Sequence, residues 1–415
     1  MLGDSVKKRR LKKKVKICLF LFVVLIVVSV VGVISIKILS EDKPDKINSK
    51  PTTTTTTKVM ETKKEATLTL VGDLLFEQPF YDAINKKGYD SSKYFGLIKH
   101  YFQEDDLSIG NMEVVIGNDD LKASGTGYNF CAPESIGDLV STLDFEVLST
   151  ANNHSYDRNL EGIKSTIEYF EKKTDIMTVG TYKTKEDRNK AHIIDINGIK
   201  FGFVSYTLGT NIRVPKEYRD LVGLYRDPET KKITDEYKNI MKDEINNLKD
   251  KSDVIMVLVH WGTEFTNSPN SEQKELAKFF NEQGVDIIVG NHSHSIQPIE
   301  WIGNEHKTLV YYSLGNFVSA DDDISRTGEK FDNAYQFGLL SQLKVTKEND
   351  KITISDINTE AIVNYFDTDM NNFKLIPLSK YTSTYENTHY RYQYNFNKKF
   401  VEDMFNKVIK EEFRK

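Results

Sequence analysis

Short apolar runs alternate with amphipathic helical stretches through most of this chain, and no other feature restricts its fold as strongly. The runs "TLTLVGD", "FEVLSTANNH", "KFGFVSYT", "DVIMVLVHWG", "VDIIVGNHSH" and "TLVYYSLGN" are rich in β-branched residues and end in polar or glycine punctuation, as buried strands do. Between them, "NLEGIKSTIEYFEKK", "TDEYKNIMKDEINNLKDK" and "SEQKELAKFFNEQG" place apolar residues at helical spacing. Strands that are apolar on both sides must be covered on both faces, so the pattern predicts an α/β fold with strands buried between helices. The 415 residues, 39% of them hydrophobic, allow one large domain or two ordinary ones.

The amino-terminal region obeys different rules. No residue from Ile17 to Ile36 is charged, and most are Val, Ile, Leu or Phe. At about 1.5 Å per residue, such a helix crosses a hydrocarbon layer of about 30 Å. Eight Lys and Arg precede it between Lys7 and Lys16, whereas the following flank mixes Lys37, Glu41, Asp42 and Lys43. The positive-inside bias therefore predicts a cytoplasmic tail (1–16), one membrane span (17–36) and an extracellular remainder. A cleaved signal peptide is the alternative, but the run is long for one and "ISIKILSE" is a poor cleavage site. Residues 37–65, with Pro44, Pro51 and the Thr52–Thr57 run, read as a flexible tether. The globular domain is expected over 66–345, with a carboxyl-terminal extension over 346–415 that ends in an amphipathic helix packing on the domain.

Charge and cysteine content narrow the function classes. The chain carries −5 overall, and the eight Lys or Arg and one Asp of residues 1–16 leave the remainder at −12. An acidic domain of this kind does not hold nucleic acid by bulk electrostatics. Any anionic substrate must meet a local positive feature. Cys18 lies in the apolar run and Cys131 far from it, so no internal disulfide is expected.

The chemistry is carried by polar residues at the ends of the apolar runs. "TLTLVGD" ends in Asp73, and "LSIGNMEVV" presents Asn111 and Glu113. "FEVLSTANNHSYD" closes on Asn152, Asn153, His154 and Asp157, "VIMVLVHWGTEF" on His260 and Glu264, and "VGNHSHSIQP" supplies His292 and His294. Four of the 8 histidines occupy such positions. Singly, each has a structural explanation: a turn cap, a loop making local hydrogen bonds, a satisfied core histidine. Jointly they point to one basin, because residues beyond the carboxyl ends of strands in an α/β sheet gather at one edge. Carboxylate, amide and imidazole donors without usable cysteine suit two divalent ions of the Mn, Fe or Zn class. Alternation in an extended segment would turn His292 and His294 to the same side.

The set "GDLLF", "GNMEVVIG", "ANNHSYDRNLEGI", "SYTLGTN", "VHWGTEF", "GNHSHSIQP" and "YSLGNFVS", spread in order over about residues 66–320, resembles the CapA family of bacterial capsule synthesis proteins associated with poly-γ-glutamate. That family is related to calcineurin-like metallophosphatases. The resemblance implies a four-layer sandwich of two mixed sheets flanked by helices, here preceded by the membrane span. It implies Asp73, Glu113, Asn153, His260, His292 and His294 as metal ligands, His154 as proton donor oriented by Asp157, and Asn111, Glu264 and Asn316 as supporting or substrate-side groups. Two departures stand out. Phosphatases of this superfamily begin with Asp-x-His, but Leu74 and Leu75 follow Asp73, so Glu113 substitutes or one metal is weakly held. Ser293 stands where relatives carry Pro between the paired histidines, which should loosen that loop.

Two readings of function remain open at this level. One is a membrane-anchored extracellular metal-dependent hydrolase acting on a phosphoester or γ-glutamyl amide. The other is a non-catalytic capsule-assembly subunit that binds an anionic cell-surface polymer or membrane synthase subunits. The segment "GTNIRVPKEYRDLVGLYRDPET" reads as a solvated loop or as an insertion over the site, where Arg213 would meet a carboxylate or phosphate.

Overall fold

A computed structural model describes residues 63–88, 90–126, 129–320 and 333–415. The expected tail, membrane span and nearly all of the tether lie outside the described residues. Among those described, no helix is long and apolar enough to cross a membrane. In chain order the strands are β1 (Lys63–Leu74), β2 (Leu107–Met112), β3 (Val147–Ser149), β4 (Met177–Val179), β5 (His192–Ile196), β6 (Ile199–Thr207) and β7 (Val254–His260). They continue with β8 (Ile287–Asn291), β9 (Ile299–Ile302), β10 (Thr308–Tyr311), β11 (Asn316–Val318), β12 (Phe337–Glu348), β13 (Lys351–Phe366) and β14 (Phe373–Pro377). The main helices are α1 (Gln78–Lys87), α2 (Glu134–Val140), α3 (Asn159–Lys173), α4 (Asp235–Lys249), α5 (Ser271–Glu282) and α6 (Lys398–Val408).

Two mixed sheets result. The first runs β14-β13-β12-β1-β2-β3-β4 with β11 paired to β1, and the second runs β5-β6-β7-β8-β10-β9. Its neighbours β1 to β4 are parallel while β12 to β14 are antiparallel. In the second sheet β6, β7, β8 and β10 are parallel, with antiparallel β5 and β9 at the edges. Parallel neighbours need crossovers, which α2 to α5 supply.

Strand alternation explains the layering. Val254, Met256 and Leu258 of β7 share one buried cluster with Leu68 and Leu70 of β1, Ile109 of β2 and Ile287 and Val289 of β8. Ile255, Val257 and Val259, pointing the other way, pack on Met241 and Ile245 of α4 and on Leu276 and Phe280 of α5. Leu148 and Val71 on the outer side of the first sheet meet Phe80, Ile136, Leu139 and Phe170 from α1, α2 and α3. Helices, sheet, sheet and helices thus form the four expected layers, each buried Leu, Val or Phe contributing about 1.5–3 kcal/mol.

The carboxyl-terminal residues are built into this sandwich. Strand β12 runs through position 346, and β13 and β14 extend the first sheet beyond it. Lys63 to Glu65, read from sequence as tether, pair with Thr346 to Glu348. Helix α6 ends at Val408, and Ile409 and Phe413 reach the inter-sheet cluster through a short turn after it.

One irregularity in β1 positions everything that follows. Leu70 pairs with Ile109, but the next pair is Asp73 with Asn111, so β1 carries one extra residue there. The bulge moves Asp73 onto the face used by Leu68 and Leu70, a known means of re-aiming a side chain. Gly72 makes it possible: a Cβ at this position would lie 1.9 Å from the Gly315 carbonyl oxygen. Gly72→Ala is therefore expected to cost at least about 2 kcal/mol in urea denaturation. A loss below about 0.5 kcal/mol, the range of neutral surface changes, would contradict this account.

Candidate metal centre

The face that forms the inter-sheet core turns polar at the carboxyl ends of the strands. Leu107 and Ile109 are followed on that face by Asn111 and then Glu113, and Met256 and Leu258 by His260. Ile287 and Val289 lead to Asn291, which pairs in register with His260. Asp73 joins through the bulge. Alternation carries polar groups into a place that the flanking apolar layers have already emptied of water, and Asp73, Asn111 and Glu113 are fully buried.

The donors converge on His260. Its Nε2 lies 2.8 Å from Asn153 Oδ1, 3.0 Å from His292 Nδ1 and 3.3 Å from Glu113 Oε1. Glu113 Oε1 is also 3.7 Å from His294 Nε2. Two overlapping triads, Asp73–Glu113–His260 and Glu113–His292–His294, each bring their ligand atoms within 4.8 Å of one another. Asn111 braces the donors: its Nδ2 donates to Asp73 Oδ1 at 2.7 Å, which orients that carboxylate, and lies 3.3 Å from His260 Nδ1. Asn316 acts on His294 in the same way. Its Nδ2 donates to the Tyr335 carbonyl, which leaves Oδ1 to accept from His294 Nδ1 at 2.9 Å. The proton of His294 is thereby held on Nδ1, and Nε2 presents a lone pair to the centre.

His292 and His294 do meet the basin together, but not by strand alternation. Their φ values are 92° and 50°, left-handed conformations in a bend just after β8. Such conformations cost about 1–3 kcal/mol each and persist where surrounding contacts impose them. Here the His292 N–H donates to Asp73 Oδ2 at 3.2 Å. The loop is also less free than Ser293 in place of Pro suggested. Ser293 Oγ donates to the Ser295 carbonyl at 2.5 Å, and the Ser293 carbonyl accepts from the Phe265 N–H at 2.6 Å.

Electrostatics give the test of whether a cation fits. Both carboxylate oxygens of Glu113 are buried without a hydrogen-bond donor, and so is Asn291 Oδ1. Burial, with repulsion from Asp73, pushes Glu113 well above the usual carboxylate range. Burial also pushes Asp73 up to about 7, against the hydrogen bonds it accepts. Burial holds His260 and His292 well below the ordinary imidazole value and brings His294 down to about 4. The set is thus neutral imidazoles and amides around two crowded carboxylates that only a shared proton or a cation can relieve. Oxygen and nitrogen donors of this kind suit a divalent ion of the Mn, Fe or Zn class.

His154 and Asp157 stand beside the centre. Asp157 Oδ2 lies 2.6 Å from His154 Nδ1 and accepts the Phe130 N–H at 2.6 Å. The Phe130 ring meets the imidazole edge-on at 4.6 Å between centroids. Asn152 accepts the His154 N–H and donates to the Met112 carbonyl, which ties this loop to β2. Glu264 sits exposed at the rim, near enough to Glu113 and His154 to interact electrostatically with both.

Arg213 follows the solvated-loop reading of its segment. It is exposed and donates to Glu229 at 2.5 Å, a carboxylate that Arg219 also bonds, so its partner lies inside the loop. The loop nevertheless touches the site, since the Asn211 N–H donates to the Asn153 carbonyl at 2.7 Å. Three contributors had no strand-end signature: Tyr335 and Phe265, whose rings lie 5.3 and 5.8 Å from His294, and Arg226, whose charge acts on His292. Only Asn291, inside "GNHSH", carried a signal that pattern reading would have found.

A family model described as bacterial capsule synthesis protein PGA_cap matches residues 67–321. Over 252 residues the chain is 30% identical to the PGA biosynthesis protein CapA of Bacillus subtilis (strain 168), covering 60% of this chain and 62% of that protein. It is 29% identical over 260 residues to the capsule biosynthesis protein CapA of Bacillus anthracis, covering 61% and 60%. The match thus spans about three fifths of the length of these relatives. Among solved structures, a calcineurin-like phosphoesterase from Bacillus subtilis is similar with a TM-score of 0.39 and 13% identity, over 83% of this chain and 98% of that one. A likeness so remote carries no argument about activity.

Removing the oxygen that orients His294, as in Asn316→Ala, is expected to weaken divalent-metal affinity about 10–100-fold. Calorimetric titration of chelator-stripped protein with Mn or Zn measures this. An unchanged affinity would mean that His294 does not bind the ion.

Proposed function

This chain belongs to the bacterial capsule synthesis protein family, and from that premise we propose that it serves the synthesis, export or anchoring of an anionic capsule polymer such as poly-γ-glutamate. It does so through a metal-dependent hydrolase-type site. The observation that carries the reading is Glu113, a fully buried carboxylate to which no described residue donates a hydrogen bond, set among His260, His292 and His294. Asp73, Glu113, Asn153, His260, His292 and His294 would hold the ions, two of them by the overlap of the triads. The uncharged run from Ile17 to Ile36 and its basic flank support a single membrane span, with the amino terminus in the cytoplasm and the main domain outside.

When bound, divalent ions supply a water of lowered pKa and positive charge at the attacked centre. The chain's own groups do the rest. Asp157 fixes the His154 ring with its proton on Nδ1, so that Nε2 can carry the proton given to a leaving group. Phe130, Phe265 and Tyr335 wall the imidazoles and limit access of bulk water. Asn211 and Asn153 tie the loop after β6 to the centre. The scissile bond in this reading is a phosphoester or a γ-glutamyl amide.

A second reading, a polymer-binding assembly subunit working with membrane synthase subunits, is favoured by Leu75. It lies 3% exposed in the outer hydrophobic cluster, so the position two residues after Asp73 contributes no ligand. The two readings separate on His154→Ala. Turnover of a phosphoester or γ-glutamyl test substrate should fall about 10²–10⁴-fold while bound metal is unchanged. Full complementation of capsule formation by this variant, together with no metal-dependent turnover by the native chain, would leave only the assembly reading.

A further inference from the structure

We propose that a polar cleft behind the His154–Asp157 pair is a subsite for the charged groups of the polymer, holding chain next to the unit presented at the metal centre. The inference rests on the capsule-polymer reading above. The cleft has a volume of about 560 Å³ and is lined by Gln78, Lys122, Ser124, Thr126, Asn129 and Arg158. That volume falls within the range of ligand sites. Among the described residues the lining holds two cations and no carboxylate, and apart from Ala123 the other groups are hydrogen-bonding side chains.

Among the described residues no carboxylate pairs with either cation. Arg158 donates to the carbonyls of Asn129, Asp157 and Lys122, at 3.3, 3.1 and 3.2 Å. Those bonds fix its side chain without cancelling its charge. Lys122 is exposed, and among the described residues neither side chain makes an ion pair. Some surface lysines elsewhere pair with Asp or Glu, as Lys172 does with Glu168 and Lys185 with Asp220; what sets the cleft apart is two cations converging on one recess with no carboxylate among its described lining. In a chain that carries −12 outside its first 16 residues, an unpaired Lys–Arg cleft is the local positive feature that an anionic polymer requires.

Its position ties it to the centre. Arg158 follows Asp157 directly, and Asn129 precedes Phe130, whose N–H bonds Asp157 and whose ring packs on His154. The cleft and the proton-donating pair are therefore two sides of the same two chain segments. A polymer with one charge per repeat, engaged at the centre, would bring a neighbouring charge to Lys122 and Arg158. Carboxylates and phosphodiesters share this chemistry. The family points to γ-linked carboxylates, and two probes tell the sources apart.

The experiment measures binding of a fluorescent γ-glutamate oligomer and a glycerol-phosphate oligomer to the full-length chain in detergent, with and without chelator. Lys122→Glu, at an exposed position, should raise Kd for the γ-glutamate oligomer about tenfold or more. Thermal midpoint, metal content and turnover of a small test substrate should be unchanged. Arg158→Gln should act in the same direction, and added salt should weaken native binding. An unchanged Kd in Lys122→Glu, with tight binding by the native chain, overturns the subsite and leaves the capsule reading standing. Equal binding of the glycerol-phosphate oligomer, equally sensitive to Lys122→Glu, overturns the carboxylate assignment. Failure of the native chain to bind either oligomer overturns the subsite and the polymer reading together.

Discussion

The packing of two sheets face to face is the constraint on which the rest of the structure depends. It removes water from the inward side chains along most of β1 and throughout β2, β7 and β8, whether apolar or polar. Along most of each strand these side chains are Leu, Ile, Val or Met, and desolvation stabilises them. At the carboxyl ends the same face presents Asp73, Asn111, Glu113, His260 and Asn291. There desolvation is costly unless the groups find partners. The site is the polar end of the core, not a cleft cut into a finished surface.

That origin accounts for its electrostatics. Imidazoles stripped of water stay neutral and keep their lone pairs, while carboxylates stripped of water resist ionisation. A cation in their midst resolves both conditions at once. The surrounding amides act as fixed props: Asn111 turns Asp73, Asn316 turns His294, and Asn152 braces the loop bearing His154. The left-handed backbone at His292 and His294 is held by bonds to Asp73 and Phe265. An arrangement supported from so many elements is pre-organised, as binding a metal in one geometry requires.

In the proposed reading, an acidic protein would meet an acidic polymer against a background of repulsion. The charge distribution answers it locally. In that reading, ions held at the centre and the Lys122 and Arg158 side chains of the adjoining cleft would supply local positive charge against the net negative charge of the chain. Arg213, by contrast, is paired within its own loop to Glu229, a carboxylate it shares with Arg219.

The α/β class and the strand-end clustering of Asp73, Glu113, Asn153, His154, His260, His292 and His294 were legible in the chain itself, whereas the pairing of His154 with Asp157 entered only through the family resemblance. They are local consequences of alternation, punctuation and short spacing, which neighbouring residues decide. The tertiary structure decided what depends on distant partners. The bulge that aims Asp73 exists because β11 presses Gly315 against Gly72, 243 positions away in the chain. The left-handed turn of His292 depends on Asp73, and the tautomer of His294 on Asn316 and Tyr335. Whether a cation such as Arg213 or Arg158 is free or neutralised depends on which carboxylate the fold brings near it. Sequence patterns report which faces a segment offers; only the packed chain determines what those faces meet.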